Sequence, residues 1–186
     1  GERSGYQGTP NSSVGFLIDD IDYSGQGGIA TTFDVDQIEA YRGPQGSRIG
    51  ANALAGLIYI QTKDPTDTFE GTSEVTIGSY GTKSAGVAFG GPLDQNPDIT
   101  YRIALRMDKA DGFRKNLYLK RSDTSRKDES TGRLKVNWQL AENTKIKFLV
   151  SQVDLNDPAD IWTIDGSLNT LSDRPGMDSQ KTNSYG

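Results

Sequence analysis

Several stretches of the sequence carry residue types at spacings that could do chemistry. Gly25-Gln26-Gly27-Gly28-Ile29-Ala30 matches Gly-x-Gly-x-x-Ala, the pattern by which a strand-to-helix turn cradles a dinucleotide pyrophosphate. The stretch that follows, Thr31 to Glu39, is too short for the crossover helix, and no βαβ continuation appears, so a flexible turn is the better account. Asp20, Asp22, Ser24 and Gly25 imitate the start of a calcium loop, yet Thr31 stands where the bidentate Glu is needed. Gly43 to Gly50 has the glycine content of a phosphate loop without the Gly-Lys-Ser/Thr that completes one. Asp19, Asp20 and Asp22 would be the carboxylates of an acid–base enzyme, and no partner clusters with them in sequence. All of these read better as strand-end and turn chemistry.

One charged stretch stands apart. Lys109 to Glu129 holds Lys109, Arg114, Lys115, Lys120, Arg121, Arg126 and Lys127 against Asp111, Asp123, Asp128 and Glu129, a basic patch in a chain of net charge -5. Such a patch attracts an anionic ligand through Arg114, Lys115, Lys120 and Arg121. An ordinary solvated loop is the alternative. Nucleic acid is not expected, because no stacking platform accompanies the charge.

Composition narrows the classes. The 186 residues include no Cys and no His, which removes disulfides, thiolate metal sites and the commonest metal ligand and general base. Only 33% of residues are hydrophobic and the mean hydropathy is -0.61, which argues against membrane-spanning helices. A transmembrane β-barrel escapes that test, because only alternate residues face lipid.

The elements that must position these residues are strands. Ser13 to Tyr23 reads as one strand running into the turn at Ser24 to Gly28, and Thr32 or Asp34 as the cap of a short helical turn before Ile38. Ile38 to Arg42 is a strand that must stop at Gly43-Pro44, since Pro44 has no N–H to offer. Gly46, Gly50 and Gly56 permit positive φ in the turn, whose Ala51, Ala53 and Ala55 allow close packing, and Leu57 to Thr62 is a strand again.

From Ile38 to Lys63 the sequence therefore gives a strand, Arg42-Gly43-Pro44, a Gly-rich turn of small residues, and a strand ending in Thr62-Lys63. This resembles the closing part of the plug domain of TonB-dependent outer-membrane receptors. The chain departs from the family pattern at Asp20, where Gly is usual, and at Tyr41, Ile49 and Tyr59, where an aliphatic residue, Tyr and Asn are usual. The resemblance implies a mostly β fold: the C-terminal part of a mixed α/β plug domain at residues 1–66, a hinge at 67–70, and from 71 to 186 the first antiparallel strands of a barrel of about 22 strands.

Residues after Gly71 fit that expectation. Alternation marks five strands around Val75 and Ile77, Val87 and Phe89, Ile99 to Asp108, Leu134 to Leu140, and Ile146 to Val150. Arg102 and Arg106 on the lipid side would cost roughly 2–4 kcal/mol each near the midplane, so they are expected to face the lumen. Ser79 to Thr82 and Ala141 to Thr144 are tight turns, Pro92 to Asp98 a short one and Lys109 to Glu129 a long charged loop; with the first strand running outward, the long loop is extracellular and the turns at Pro92 and Asn143 are periplasmic. Phe89, Tyr101, Trp138 and Phe148 then fall near one rim as an aromatic girdle.

By the same resemblance, Arg42 takes the role of a plug Arg that locks to barrel glutamates expected beyond Gly186, with a second plug Arg expected before Gly1 or, less simply, at Arg3. The function implied is active transport of a scarce substrate, a ferric siderophore or similar iron complex, across the bacterial outer membrane. TonB with ExbB and ExbD would supply energy through a segment expected before residue 1, and the basic loop would meet a ferric chelate or the phosphates of outer-membrane lipopolysaccharide. No bond is made or broken, so no catalytic residue, metal site or cofactor is expected. The rival reading is a soluble β-rich binding or adhesion module, whose alternating apolar faces would form a sandwich core.

Overall fold

Short runs rich in Val, Ile and Tyr make strands where they can pair, and Gly, Pro and Asp break them where they cannot. The computed structural model describes residues 13–24, 31–46, 53–93, 96–160, 167–171 and 176–185, and every element defined among them is a strand. The α part of the expected plug is thus not represented among the described elements. The chain divides into two compact units, Gly1–Asp64 and Pro65–Gly186.

The first unit is a four-stranded sheet in the order β2-β1-β4-β3, built from β1 (Val14–Ile18), β2 (Ile21–Asp22), β3 (Val35–Arg42) and β4 (Gly56–Thr62). Strand β4 runs parallel to β1 and antiparallel to β3. Leu57, Ile60 and Ala53, with Tyr23 and Phe33, form its buried apolar core.

Three local expectations change here. Ser13 to Tyr23 is a hairpin, not one strand: Ile18 pairs Ile21, and Asp19 and Asp20 turn the chain with φ of 49° and 69°. Both are left-handed, the backbone of a type I′ turn, and with no Gly at either position the turn left no mark in the sequence. The helical turn at Thr32 or Asp34 is replaced by a tight turn at Phe33 and Asp34 that enters β3 directly at Val35. Positive φ in the Gly-Pro turn belongs to Gly43 (φ 86°) and not to Gly46 or Gly56. At Gly56 the reason for glycine is space, since a Cβ would stand 2.6 Å from the Tyr41 carbonyl oxygen. Gly50 lies outside the described residues.

The second unit holds β5 (Glu70–Ile77), β6 (Lys83–Leu93), β7 (Asn96–Ala110), β8 (Lys115–Asn116), β9 (Lys127–Ala141), β10 (Thr144–Ala159), β11 (Asn169–Thr170) and β12 (Gly176–Tyr185). Six of these form an open antiparallel sheet in the order β12-β10-β9-β7-β6-β5. Strand β12 was not expected from the sequence: Met177-Asp178-Ser179-Gln180-Lys181-Thr182-Asn183-Ser184 has too few apolar residues to show a period. Strands β7, β9 and β10 reach 15, 15 and 16 residues, longer than the roughly ten needed to cross a bilayer at a tilt.

Meander connectivity places the turns. Residues 78–82, the segment between β7 and β9, and the segment between β10 and β12 share one end of the sheet, and the tight connections after Leu93 and Ala141 share the other.

Candidate functional site

The large sheet is inside-out for a water-soluble protein. One face carries Val75, Ile77, Val87, Leu105, Met107, Leu134, Trp138, Leu140, Phe148 and Val150, all of them exposed. Cross-strand register makes this face continuous, with Phe89, Ile103, Leu134 and Val150 in a single row. On the opposite face Arg102 is 3% exposed and Lys135 8%, beside Ser84, Thr100 and Asn137, all buried. An exposed apolar surface of this extent is rare on a soluble monomer, and charged groups are seldom buried unless paired.

Pairing on the polar face follows a simple geometric rule. Glu70, Gly90 and Arg102 are register partners across β5, β6 and β7, and so are Glu74, Gly86 and Arg106. With no side chain on the middle strand, each Arg reaches over it. Arg102 Nη1 donates to Glu70 Oε1 at 2.8 Å and Arg106 Nη1 to Glu74 Oε1 at 2.9 Å. Arg106 also donates to both oxygens of Asp108, at 2.7 and 3.0 Å, and Ser84 Oγ donates to Asp108 Oδ1 at 2.6 Å. Arg102 and Arg106 thus share the face opposite the exposed apolar residues. Glu70 and Glu74 were not singled out in the sequence, although the hairpin register of β5 and β6, with glycines four residues apart opposite glutamates four apart, was the available signal.

Phe89, Tyr101, Trp138 and Phe148 lie on the apolar face in three consecutive rows toward the end with the tight connections. Their half-buried to exposed state leaves the rings at the surface.

At the other end the basic segment is folded, not a loose loop. Strand β8 pairs in parallel with β11, and Asn116 and Arg121 exchange backbone hydrogen bonds of 2.8 and 3.1 Å to close a small hairpin. Buried Asp160 accepts from Asn116 Nδ2 at 2.9 Å and from Thr170 Oγ1 at 2.5 Å. The four cations fare differently. Arg121 is committed to Asp123 by bonds of 2.7 and 2.8 Å, and its guanidinium holds the Asp123 carboxyl below the usual carboxylate range. Arg114 lies over the Phe113 ring, its guanidinium carbon 5.2 Å from the centroid. Lys115 and Lys120 are exposed, Lys120 with a φ of 53°.

In the first unit Asp19 is structural: its Oδ1 accepts the Thr62 N–H at 2.9 Å and its Oδ2 the Thr62 hydroxyl at 2.6 Å. Asp22 accepts the Ser24 N–H at 2.8 Å, a local turn. The chain ends β3 at Arg42, and Gly43 N–H then donates to the Ala55 carbonyl at 3.1 Å to close the Gly-Pro turn. Pro44 and Gly46 are exposed in it. Arg42 is itself exposed and meets no carboxylate among the described residues. The glycine run at 25–28 lies outside the described residues, and among those described no group of His, Cys, Asp and Glu is arranged to hold a metal.

The described residues thus combine a small sheet of parallel and antiparallel strands with a long-stranded antiparallel sheet whose apolar face is exposed. No family model matches the sequence. Among solved structures, the ferric yersiniabactin uptake receptor FyuA from Yersinia pestis matches 92% of this chain with a TM-score of 0.77 and 23% identity. The ferripyoverdine receptor of the Pseudomonas aeruginosa outer membrane matches 92% with a TM-score of 0.67 and 17% identity. The ferric-catecholate import receptor Fiu from E. coli matches 81% with a TM-score of 0.64 and 18% identity. The chain spans 27%, 24% and 21% of those three proteins, respectively. At these identities the likeness establishes the fold.

Proposed function

We propose that the chain is part of a TonB-dependent transporter of the bacterial outer membrane that takes up a ferric siderophore or similar iron complex. One observation carries the reading: a continuous apolar face is exposed while Arg102 and Lys135 are buried on the other. A sandwich core would cover the apolar face, which weighs against the soluble binding module. A barrel wall turns that face to lipid and the Arg face to a lumen. The solved structures of this fold are described as siderophore receptors, which supports the substrate class.

In this reading residues 1–66 belong to the plug, 67–70 to the hinge and 71–186 to the barrel. Lys115 and Lys120, with Arg114, draw an anionic iron chelate toward the loop end. TonB, with ExbB and ExbD, drives release through a plug segment, and Arg42 locks the plug to barrel carboxylates. The protein moves its substrate without making or breaking bonds, so it is not an enzyme. Deletion of the full-length gene should abolish uptake of radio-iron from at least one ferric siderophore, and a strain lacking TonB should show the same loss. Unchanged uptake across a panel of hydroxamate, catecholate and mixed siderophores would overturn the proposal. Arg42→Ala in the full receptor should admit large antibiotics if the lock is real.

A further inference from the structure

Polar residues, not apolar ones, fill the interior of the folded basic segment. Among the described residues at 113–126, 160 and 167–171, the buried ones are Asn116, Thr124, Asp160 and Thr170, each at most 1% exposed, while Phe113, Leu117, Tyr118, Leu168 and Leu171 are exposed. Hydrophobic burial therefore contributes little here, and hydrogen bonds must hold the segment.

Those bonds converge on one carboxylate oxygen. Asn116 uses its backbone N–H and carbonyl on Arg121 and accepts the Leu119 N–H through Oδ1 at 2.8 Å, which shapes the hairpin tip from Leu117 to Lys120. Its Nδ2 points out of the hairpin and donates to Asp160 Oδ2, the same atom that accepts the Thr170 hydroxyl. Asn116 and Thr170 are register partners of β8 and β11, where the Lys115 N–H donates to the Leu168 carbonyl at 3.1 Å and the Leu117 N–H to the Thr170 carbonyl at 2.9 Å. The Asp160 N–H adds a bond of 3.3 Å to the Thr124 carbonyl. One side chain thus ties three separate stretches of chain.

The network is incomplete around that tie. Thr124 Oγ1 and Arg114 Nη1 are buried with no hydrogen-bond partner among the described residues, and a partly satisfied buried network is weaker than a complete one. Lys120 holds a φ of 53° without being glycine, a conformation that persists only while its surroundings impose it. Strands of two residues are too short to persist unaided. Removing the Asp160 carboxylate would take the acceptor from two buried donors at once.

We propose that Asp160 is a positioning residue for substrate capture: through Asn116 and Thr170 it fixes the hairpin that presents Lys115 and Lys120, without touching the substrate itself. This inference rests on the transporter reading. With the tie gone, the two lysines spread over many arrangements, and binding must then order them again at a cost in affinity. Steps after capture are unaffected, because Asp160 acts only on the loop.

The test uses the full-length protein in cells lacking TonB, where binding is read without transport, and in cells with TonB, where uptake is read. The probe is a radio-iron siderophore of the hydroxamate, catecholate and mixed panel that the parent takes up. Asp160→Ala should weaken its binding roughly 10- to 100-fold and leave the uptake rate at saturation unchanged. Amide exchange at Lys115 and Leu117 should quicken in the same variant. Adding Leu117→Cys and Leu171→Cys, one residue beyond the Asn116–Thr170 pair, joins the two segments covalently. Oxidation of that variant should restore both binding and slow exchange, and reduction should abolish them again. Quickened exchange with unchanged affinity overturns the positioning role, and so does a loss of affinity that the disulfide leaves in place while exchange recovers. Should Asp160→Ala give no heat-modifiable form, Asp160→Asn carries the same comparison with an intermediate loss. A parent that takes up no member of the panel sinks the transporter reading, whereas an active parent with an unaltered variant sinks this proposal alone.

Discussion

Tyr59 donates its hydroxyl proton to Asp20 Oδ1 over 3.1 Å, linking two residues 39 positions apart. Both are positions where the sequence departs from the receptor pattern it resembles, and the fold brings the two departures into contact. Asp20 holds φ of 69° without being Gly, and the bond from β4 helps keep it there.

The turn should therefore tolerate Asp20→Gly, within about 0.5 kcal/mol of the parent, because glycine adopts this backbone freely while the lost exposed hydrogen bond is weak. Asp20→Val should cost about 2 kcal/mol, since a β-branched residue is strained at positive φ. Hydrogen-exchange protection of the Asp22 and Tyr23 amides would rank the variants. Equal protection in the Gly and Val variants would remove the turn argument.

Asp19→Ala should cost about 2–3 kcal/mol, because it leaves the N–H and hydroxyl of Thr62, a residue only 1% exposed, without their acceptor. Asp19→Asn keeps one acceptor and tolerates the left-handed backbone, so its cost should be about half. Exchange at the Thr62 amide reads this directly.

Gly90→Val should lower the stability of the six-stranded sheet by about 1–3 kcal/mol. A Cβ at Gly90 would stand 2.1 Å from the Tyr101 carbonyl oxygen, and a larger side chain blocks the crossing from Arg102 to Glu70. Glu70→Gln should cost less, since it removes charge without filling the gap. Urea unfolding of the full-length protein from lipid vesicles would compare them.

The apolar face can be tested by depth. Leu105→Lys should impair folding into bilayers by roughly 2–4 kcal/mol, Leu140→Lys near the rim by about 1 or less, and Thr72→Lys on the opposite face very little. A uniform penalty across the three would argue that the face does not meet lipid.

Acid should loosen the loop hairpin. Arg121 depresses the folded-state pKa of Asp123, so its contribution is present above the ordinary carboxylate pKa of about 4 and is lost as pH falls through the lower folded value. Exchange protection at Asn116 and Arg121, corrected for intrinsic rates, should drop below pH 4, and Asp123→Asn should remove that pH dependence. Because the pair is exposed, the change should be small.

Which features were legible depended on how local their signals were. A strand with one apolar face must alternate, so β7 and β9 could be read from Tyr101 to Met107 and from Leu134 to Leu140 alone. The stop at Gly43-Pro44 was legible for the same reason: a missing N–H acts where it stands. The segment that forms β12 has too few apolar residues in sequence to show a period. The Asp19-Asp20 turn uses no glycine, and the folding of the basic segment depends on Asp160 and Thr170, more than forty residues away in sequence from Asn116.

By itself, then, the sequence determined that the chain alternates, where it turns at Gly and Pro, and that Arg102 and Arg106 oppose the apolar face, because each follows from the two-residue pleat. Only the tertiary structure decided that Glu70 reaches Arg102 across Gly90, that Tyr59 meets Asp20, and that Lys83 sits opposite Lys109. Those contacts are set by the register between strands, which no single strand contains.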